Sequence, residues 1–385
     1  ALAAVSSSGN LIFLMVGLVN GVSMGAGVVI ARYFGAKDYD RMQKTIHTLL
    51  AFGLVAGALL TVVGVALSPV MLRLMDTPET VLPDSISYFR TYFTGSLAFV
   101  LYNICMGILQ AVGDSRHPLQ YLMISSLVNV VLDLLFVGVF HMGVWSAAAA
   151  TAISQLVSMA LCLLRLMRSE RAYRVSLRKI RFDRRALLEI LQNGLPAGLQ
   201  SVMYSLSNII IQASVNGFGT DVMAAYTAYG KVDGMYWMVI NAFGVAITTF
   251  VGQNFGARLY DRMKKSINVC LGIAAAVTLL LSGVLMVVAE PLLGLFSDDA
   301  QVLEIGLSIV RLIVPTYITY IFIEILSGAM RGAGDSLIPT IMTLTGVCLL
   351  RVFWVTVVVS AHHELNVLLL SLSLIHISEP TRLQL

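Results

Sequence analysis

Long apolar stretches separated by short polar turns run through the whole chain. Uncharged stretches of more than 18 residues recur along it, and about 20 apolar residues are enough for a helix to cross the hydrocarbon core of a bilayer. Inside lipid the backbone finds no external hydrogen-bond partner, so each stretch is expected to be helical. Ten transmembrane helices are predicted, at roughly residues 10–31, 46–72, 89–112, 119–140, 143–164, 190–216, 223–252, 267–289, 303–330 and 338–360.

Composition agrees with this pattern. Apolar residues make up 58% of the chain and charged residues only 12%, with a mean hydropathy of +0.85. So few polar residues cannot cover the surface of a soluble globule. The sequence therefore predicts an all-α, polytopic membrane protein.

The chain matches itself when it is shifted by 221 residues. Phe34–Ile46 then aligns with Phe255–Ile267, and nine of the thirteen aligned positions are identical. Without any net insertion, the turn Gly113-Asp114-Ser115 also aligns with Gly334-Asp335-Ser336. Duplicated helical bundles are typical of transporters, whose sites lie between the repeats. We therefore expect two pseudo-symmetric six-helix lobes, related by a rotation of roughly 180° about the membrane normal.

The repeated turns also predict local geometry. In the Gly-Asp-Ser turns, glycine permits a tight backbone and aspartate can cap the following helix. The Phe-Gly-Ala segments that begin at Phe34 and Phe255 are predicted to end helices, with Gly35 and Gly256 in left-handed caps.

Lysine and arginine crowd alternate turns between the predicted helices. By the positive-inside rule these turns are expected to be cytoplasmic, whereas the other turns carry acids or no charge. Both copies therefore face the same way, which requires an even number of helices per copy, and six fits the spacing of the repeat. The basic residues are Arg32, Lys37, Arg41, Lys44, Arg116, the stretch from Arg165 to Arg185, Arg258, Arg262, Lys264, Lys265 and Arg331.

A six-helix repeat leaves both ends incomplete, with about ten complete spans of an expected twelve. One helix is expected before residue 1, and the tail resembles read-through of a sequencing adapter, so it is excluded from functional arguments. The basic connector between the halves either lies near anionic headgroups or only determines topology. The predicted segments are a first lobe at 1–164, the connector at 165–185, a second lobe at 186–374 and the tail at 375–385.

Acids within predicted spans are candidate functional groups, because formal charge in hydrocarbon is costly unless it is paired or hydrated. We assign Asp133 and Glu324 to this class as the only two such acids. Asn129 precedes Asp133 by one helical turn, so an amide and a carboxylate share one face and can coordinate a cation together. The alternative is that Asp133 only caps or hydrogen-bonds near the end of its span.

Glu324 belongs to the second copy, and the first copy has Asn103 at the equivalent position. The two halves therefore differ by one charge. Within a cleft, Glu324 could carry a proton or act as the counter-charge of a cationic substrate. The alternative is a static buried ion pair with Arg351 in the next span.

Several motifs, in this order and spacing, resemble the multidrug and toxin extrusion (MATE) family in its prokaryotic form. The resemblance runs from residue 1 to about residue 370. It implies two six-helix lobes around a central cleft, and export of organic cations in exchange for Na⁺ or H⁺. The motifs are Asn129-Val-Val-Leu-Asp133, Gly194-Leu-Pro-Ala-Gly-Leu-Gln200, Ala224-Ala-Tyr-Thr227, Gly252-Gln-Asn-Phe-Gly-Ala257 and the paired Gly-Asp-Ser turns.

The resemblance also implies a cation site in the first lobe, which would hold Na⁺ or a proton and no other metal. Its residues would be Asn129, Asp133, Thr151 and Tyr88. Related transporters add an acid from a helix that would precede residue 1, and carry their second-lobe acid about one turn before Glu324, where this chain has Tyr320.

The resemblance implies a monomer in the plasma membrane of a prokaryote that transports a small organic cation, with no cofactor and no nucleic-acid partner. Two other functional classes are alternatives to a cation exporter. A lipid-linked oligosaccharide flippase of the same superfamily would favour a basic cleft for pyrophosphate, whereas the spans hold almost no lysine or arginine besides Arg351. An intramembrane enzyme is disfavoured because no nucleophile with a base, paired His/Glu or P-loop is found. We therefore expect transport driven by an ion gradient and not by ATP.

Overall fold

A computed structural model describes residues 9–74, 79–359, 361 and 367–369, and its regular structure in these ranges is helical throughout. The predicted tail at 375–385 lies outside the described residues. The first part of the chain forms α1 (Gly9–Gly35), α2 (Tyr39–Leu74), α3 (Leu82–Thr94), α4 (Ser96–Ala111), α5 (Arg116–Asp133), a π-helical segment (Leu134–Val139), α6 (Trp145–Arg168) and a short 3₁₀ turn (Leu177–Lys179).

The second part begins with one further helix, and its elements from Thr220 onward correspond to those of the first part from Gly9 onward. It forms α7 (Arg184–Asn216), α8 (Thr220–Gly256), α9 (Tyr260–Gly294), α10 (Ala300–Ile313), a 3₁₀ turn (Val314–Thr316), α11 (Tyr317–Ala333), α12 (Leu337–Thr343), a π-helical segment (Leu344–Leu349), α13 (Leu350–Phe353) and a second π-helical segment (Trp354–Val359).

Over the described residues, each of the ten predicted spans is helical along most of its length, which confirms the all-α, polytopic class. Among the described residues, seven helices are long and apolar enough to cross a membrane, or eight if the pair α3 and α4, bent by 41°, counts as one span. The helices run beyond the predicted spans into the basic turns. The predicted span 46–72, for example, lies within Tyr39–Leu74. Hydropathy marks the hydrocarbon region, and a helix can continue into water or headgroups past that region.

The helix ends after the Phe-Gly-Ala segments differ from the prediction. Gly35 is still helical, and the left-handed residue is Lys37, with φ 57°. The N–H of Asp38 donates to the carbonyl of Tyr33 at 3.0 Å and that of Lys37 to Phe34 at 3.1 Å, which is the bond pair of a Schellman cap. The second copy repeats it at Arg258, with φ 60°. The predicted glycine caps are therefore wrong by two residues, because the helix continues until its last carbonyls are paired.

The Gly-Asp-Ser turns have the predicted geometry. Gly113 and Gly334 adopt φ 88° and 95°, a left-handed conformation that glycine reaches without a side-chain clash. Asp335 Oδ1 accepts the backbone N–H groups of Leu337 and Ile338, at 3.2 and 3.1 Å. The aspartate therefore caps the following helix, and the turn repeats at the 221-residue offset.

Cα packing divides the chain into two units, residues 1–198 and 199–385, with the boundary inside α7. The core of the first unit is built mainly from α1, α2, α4 and α6, whose fully buried side chains include Ile30, Ile46, Ile104 and Ile108. The core of the second unit is built mainly from α8 to α11.

The basic connector packs against the start of α2 within the first unit. The side-chain amide of Gln43 donates to the carbonyls of Ala172 and, at 3.1 Å, Arg174. His47 Nδ1 lies 2.8 Å from the carbonyl of Gln43, and its Nε2 accepts the backbone N–H of Ser176 at 3.1 Å. Because a carbonyl can only accept, Nδ1 must carry the proton and His47 is neutral in this contact. The connector is therefore tied down by its backbone.

The end of the connector caps α7. Asp183 Oδ1 accepts the backbone N–H groups of Arg185 and Ala186, at 3.1 and 3.0 Å. The bond from Ala186 is the main reason why the pKa of this carboxyl is lowered. The backbone N–H of Asp183 itself donates to Thr48 Oγ1 at 3.1 Å, so the cap is joined to α2.

Thr48→Val is expected to loosen the connector. The variant keeps the size of this buried side chain but leaves the N–H of Asp183 without its acceptor, at a cost of about 1 kcal/mol. The open population should rise about fivefold, and trypsin should cleave the arginines of 165–185 faster by that factor. The matched control is Thr61→Val in the same helix, whose hydroxyl, among the described residues, bonds only to the carbonyl of Gly57. Equal cleavage rates in the two variants would contradict the docking role of Thr48.

Glycine allows close packing of α11 against α8 in the second unit. A Cβ atom at Gly332 would lie 2.5 Å from the carbonyl oxygen of Thr248 and 3.0 Å from Cβ of Val251. Gly332→Ala is expected to cost about 1–3 kcal/mol through overpacking. At Gly283, where a Cβ meets nothing within 4 Å, the same change should stabilise by about 0.5–1 kcal/mol. Thermal unfolding of the two variants in detergent tests this prediction. Shifts of the unfolding midpoint in the same direction would contradict the packing argument.

Candidate functional site

A polar face on α5 is packed inside the first unit. Ser125, Asn129 and Asp133 follow one another at intervals of four residues, so they share one side of the helix. Ser125 Oγ donates to the carbonyl of Ser154 in α6 at 2.7 Å. The opposite side of α5 is apolar and exposed, for example at Leu127. The apolar side is thus the one available to lipid, and the polar side faces the protein.

Two polar atoms of this face are enclosed and unpaired. Asn129 Nδ2 and Asp133 Oδ1 are inaccessible to solvent and have no hydrogen-bond partner among the described residues. Gln155 Oε1 in α6 is in the same condition. Buried polar groups are nearly always paired in native proteins, and each exception calls for an explanation. Because Asn129 and Asp133 are one turn apart on the same face, their two unpaired atoms indicate a place on α5 that receives an ion, a proton or water.

The other two residues of the predicted first-lobe site lie on the neighbouring helices. Tyr88 in α3 is close enough to Asp133 to interact with its charge. Thr151 in α6 lies one turn before Gln155, and its hydroxyl donates to the carbonyl of Ala147 at 3.0 Å, which leaves its oxygen lone pairs to accept. Sequence reasoning missed Gln155, although its spacing from Thr151 places both on one helix face.

The donor set fits a small hard cation or a proton. Such cations take carboxylate, amide and hydroxyl oxygens, and Asp133, Asn129 and Thr151 carry one group of each kind. The amide of Asn129 presents oxygen instead of nitrogen after a half turn, since the two ends are assigned from their surroundings. Asp133 also lies directly before the π-helical segment Leu134–Val139, and π-helical turns occur frequently at functional sites.

Glu324 is paired within its own helix, so the alternative considered for it, a static ion pair with Arg351, is not formed. Its Oε1 lies 3.3 Å from a guanidinium nitrogen of Arg331, and its Oε2 accepts the hydroxyl of Tyr320 at 3.3 Å. Arg331, predicted to be in a turn, lies in the last turn of α11 and is buried. Residues seven apart lie on one face of a helix, and the long arginine side chain covers the remaining distance. Arg351 donates instead to Asn208 Oδ1 at 3.1 Å.

The repeat explains how the second copy accommodates the larger acid. The carboxyl carbon of Glu324 lies 3.0 Å from the place where a Cβ of Gly244 would stand. In the first copy the equivalent residues are Asn103 and Ser23, and the amide of Asn103 bonds to its own helix at the carbonyl of Phe99, 2.8 Å away. The glutamate therefore depends on the missing side chain of Gly244.

A third acid lies within a span, so the prediction of only two is wrong. Asp233 is in α8, in the middle of the predicted span 223–252. Its Oδ1 accepts the hydroxyls of Tyr229, at 3.1 Å, and Tyr317, and its Oδ2 accepts the indole N–H of Trp237 at 2.9 Å. A count of acids in the predicted span would have found it, but its aromatic partner on α11 could not be read from local spacing.

Taken together, the duplicated helical bundle and its enclosed acids define a membrane transporter, because polar groups are retained inside hydrocarbon where ions or substrates pass. The fold agrees with a solved structure. A multidrug resistance MATE family transporter of the MOP superfamily, in an outward-facing conformation, superposes with a TM-score of 0.91 over 98% of this chain and 84% of that chain, at 22% identity.

The family follows from the sequence match. The MatE family model matches residues 1–135 and 196–356, and the chain belongs to the MatE family. It is 29% identical to the probable multidrug resistance protein YoeA of Bacillus subtilis (strain 168), over 89% of this chain and 76% of that protein. It is also 27% identical to an FAD transporter of Shewanella oneidensis, over 82% of this chain and 70% of that protein.

Proposed function

We propose that the protein exports organic cations, drugs among them, in exchange for Na⁺ or H⁺, by alternating access between its two halves. The observation that carries the proposal is the pair Asn129 and Asp133 on one face of α5, each with an enclosed polar atom that lacks a partner among the described residues. An acid kept in this condition inside a span is stabilised by a transient cation. The name of the Bacillus relative, a probable multidrug resistance protein, supports drugs as the cargo.

The coupling follows from differential binding. A ligand shifts a conformational equilibrium only by the difference in its affinity for the two states. If Na⁺ or a proton neutralises Asp133 better in the state open to the outside, its gradient drives the cycle and the cargo leaves in exchange. Asp133 would bind the ion, Asn129 and Thr151 would complete its coordination, and Tyr88 would share the electrostatic environment. In this scheme the basic turns are cytoplasmic and the transporter acts as a monomer in the plasma membrane.

The buried arginines argue against an anionic lipid-linked sugar as the cargo. Arg331 is paired with Glu324 and Arg351 is bonded to Asn208, so neither is held ready for pyrophosphate. One relative is named an FAD transporter, which makes FAD a useful anionic comparison.

Efflux from everted membrane vesicles tests the proposal. A fluorescent organic cation is followed while a Na⁺ gradient and a pH gradient are imposed separately, with FAD as a second cargo. We expect accumulation of the cation under one gradient, and none with ATP once an uncoupler and a Na⁺ ionophore have collapsed both gradients. Accumulation that still depends on ATP under those conditions, or transport of FAD but not of the cation, would contradict the proposal.

A further inference from the structure

Asp233 differs from the other two intramembrane acids in the kind of partners it has. All three of its hydrogen-bond donors are neutral: the hydroxyls of Tyr229 and Tyr317 and the indole N–H of Trp237. Among the described residues no lysine or arginine lies at ion-pair distance from it, whereas Glu324 has Arg331 at 3.3 Å. Arg351 is within electrostatic range of Asp233 but is bonded to Asn208. Neutral donors stabilise a carboxylate without cancelling its charge, so Asp233 still attracts a cation.

The surroundings of Asp233 are aromatic. Tyr236 stacks on Tyr317 with ring centroids 3.8 Å apart, and Trp237 meets Tyr320 edge to face at 4.5 Å. The indole of Trp237 remains 38% exposed on the second unit. A carboxylate beside partly open aromatic faces attracts large, weakly hydrated cations, both by charge and by cation–π interaction.

The cluster belongs to the second copy alone. At the 221-residue offset Asp233 aligns with Ile12, Trp237 with Val16 and Tyr317 with Ser96. Conversely, the pair Asn129 and Asp133 belongs to the first copy alone. At the same offset these residues align with Leu350 and Trp354. The two copies have therefore diverged so that each carries an acid cluster that the other lacks, on a different helix and with different chemistry. Oxygen and amide groups surround the first acid, and aromatic rings surround the second.

We propose that Asp233 and Trp237, held in place by Tyr229 and Tyr317, bind the cationic group of the cargo, a bulky quaternary or protonated organic cation. The inference rests on the proposed function and divides it between the two units: Asp133 serves the coupling ion and Asp233 serves the cargo. Three of about four acceptor positions of the Asp233 carboxylate are filled by the neutral donors. The cargo contributes charge and apolar surface to the cluster and need not supply a hydrogen bond, which suits cations that carry no N–H.

Binding to detergent-purified protein tests this assignment without any gradient. Tetraphenylphosphonium is the cationic probe and triphenylphosphine oxide the neutral one, measured by equilibrium dialysis at fixed pH and Na⁺. Asp233→Asn should weaken tetraphenylphosphonium binding about tenfold or more, which corresponds to about 1.4 kcal/mol, and should change the affinity for the neutral probe less than about twofold. Trp237→Leu should weaken tetraphenylphosphonium binding several-fold.

The controls separate charge from architecture. Tyr317→Phe removes one donor but keeps the charge and the ring, so cation affinity should fall far less than in Asp233→Asn. Glu324→Gln should have a similarly small effect, because its charge is already cancelled by Arg331. The assignment is overturned if Asp233→Asn binds the cation like wild type, or if its affinity falls equally for both probes. It is also overturned if Tyr317→Phe lowers the affinity for the cation as much as Asp233→Asn does.

The outcome is also distinguishable from failure of the proposed function. Asp133→Asn should still bind tetraphenylphosphonium although it no longer transports. Binding that depends on Asp233 in a protein without gradient-driven efflux would preserve the cation site and refute the exchange mechanism. Gradient-driven efflux together with cation binding that does not depend on Asp233 would support the exchange mechanism and refute the cation site.

Discussion

Asp133→Asn is expected to abolish gradient-driven efflux while the protein still inserts and folds. The amide keeps the size of the side chain, but it neither binds and releases a proton nor attracts a cation with a formal charge. Efflux from everted vesicles should fall to the level of vesicles without the protein, a loss of at least about a hundredfold if one transient charge pair is worth about 3 kcal/mol. Thermal unfolding of the purified variant measures its folding independently.

The matched control is Asp84→Asn, which removes an exposed carboxylate at the start of α3 and should leave efflux unchanged. Undiminished efflux in Asp133→Asn would move the coupling role to another acid, first to Asp233 and then to Glu324. Equal losses in both variants would point to a general effect of removing negative charge.

Arg331→Met is expected to have the largest effect on stability. The change leaves the Glu324 carboxylate without its cation, and breaking one side of a buried ion pair costs about 3–5 kcal/mol. The side chains are 7% and 19% exposed, so we expect the lower end of that range. The midpoint of thermal unfolding in detergent should fall by several degrees.

The double variant Arg331→Met with Glu324→Gln should recover most of this loss, because no unpaired charge remains. Lys264→Met, at an exposed position of α9, is the control for removing a positive charge and should shift the midpoint little. A double variant no more stable than Arg331→Met would show that the arginine acts through packing alone and that its charge does not matter.

The features that sequence analysis predicted well depend on neighbouring residues. The Gly-Asp-Ser turns have the predicted left-handed glycines because the turn is complete within a few residues. The caps after Phe34 and Phe255 were misplaced by two residues because a helix ends where its carbonyls find partners. Gly35 and Gly256 lie two residues earlier and are still helical, and Lys37 and Arg258 adopt the left-handed conformation instead.

The partners of the intramembrane acids could not all be predicted from the sequence. The common face of Asn129 and Asp133 follows from their spacing, and α5 has that face turned inward. Arg331 was assigned to a turn from its position near the end of a span, so its pairing with Glu324 was missed. Asp233 was within reach of a residue count, but its bond to Tyr317 joins residues 84 apart.

The sequence by itself determined the membrane class, the duplication, the family and the positions of Asp133 and Glu324 in their spans, since hydropathy, repeats and helical spacing are properties of the chain. Only the tertiary structure decided which acid is neutralised by arginine, which is held by neutral aromatic donors and which has an enclosed oxygen without a partner. The physical reason is that the cost of a charge in a membrane depends on the groups around it. For Asp233 the group that spacing does not specify is Tyr317 on α11, which packing brings close.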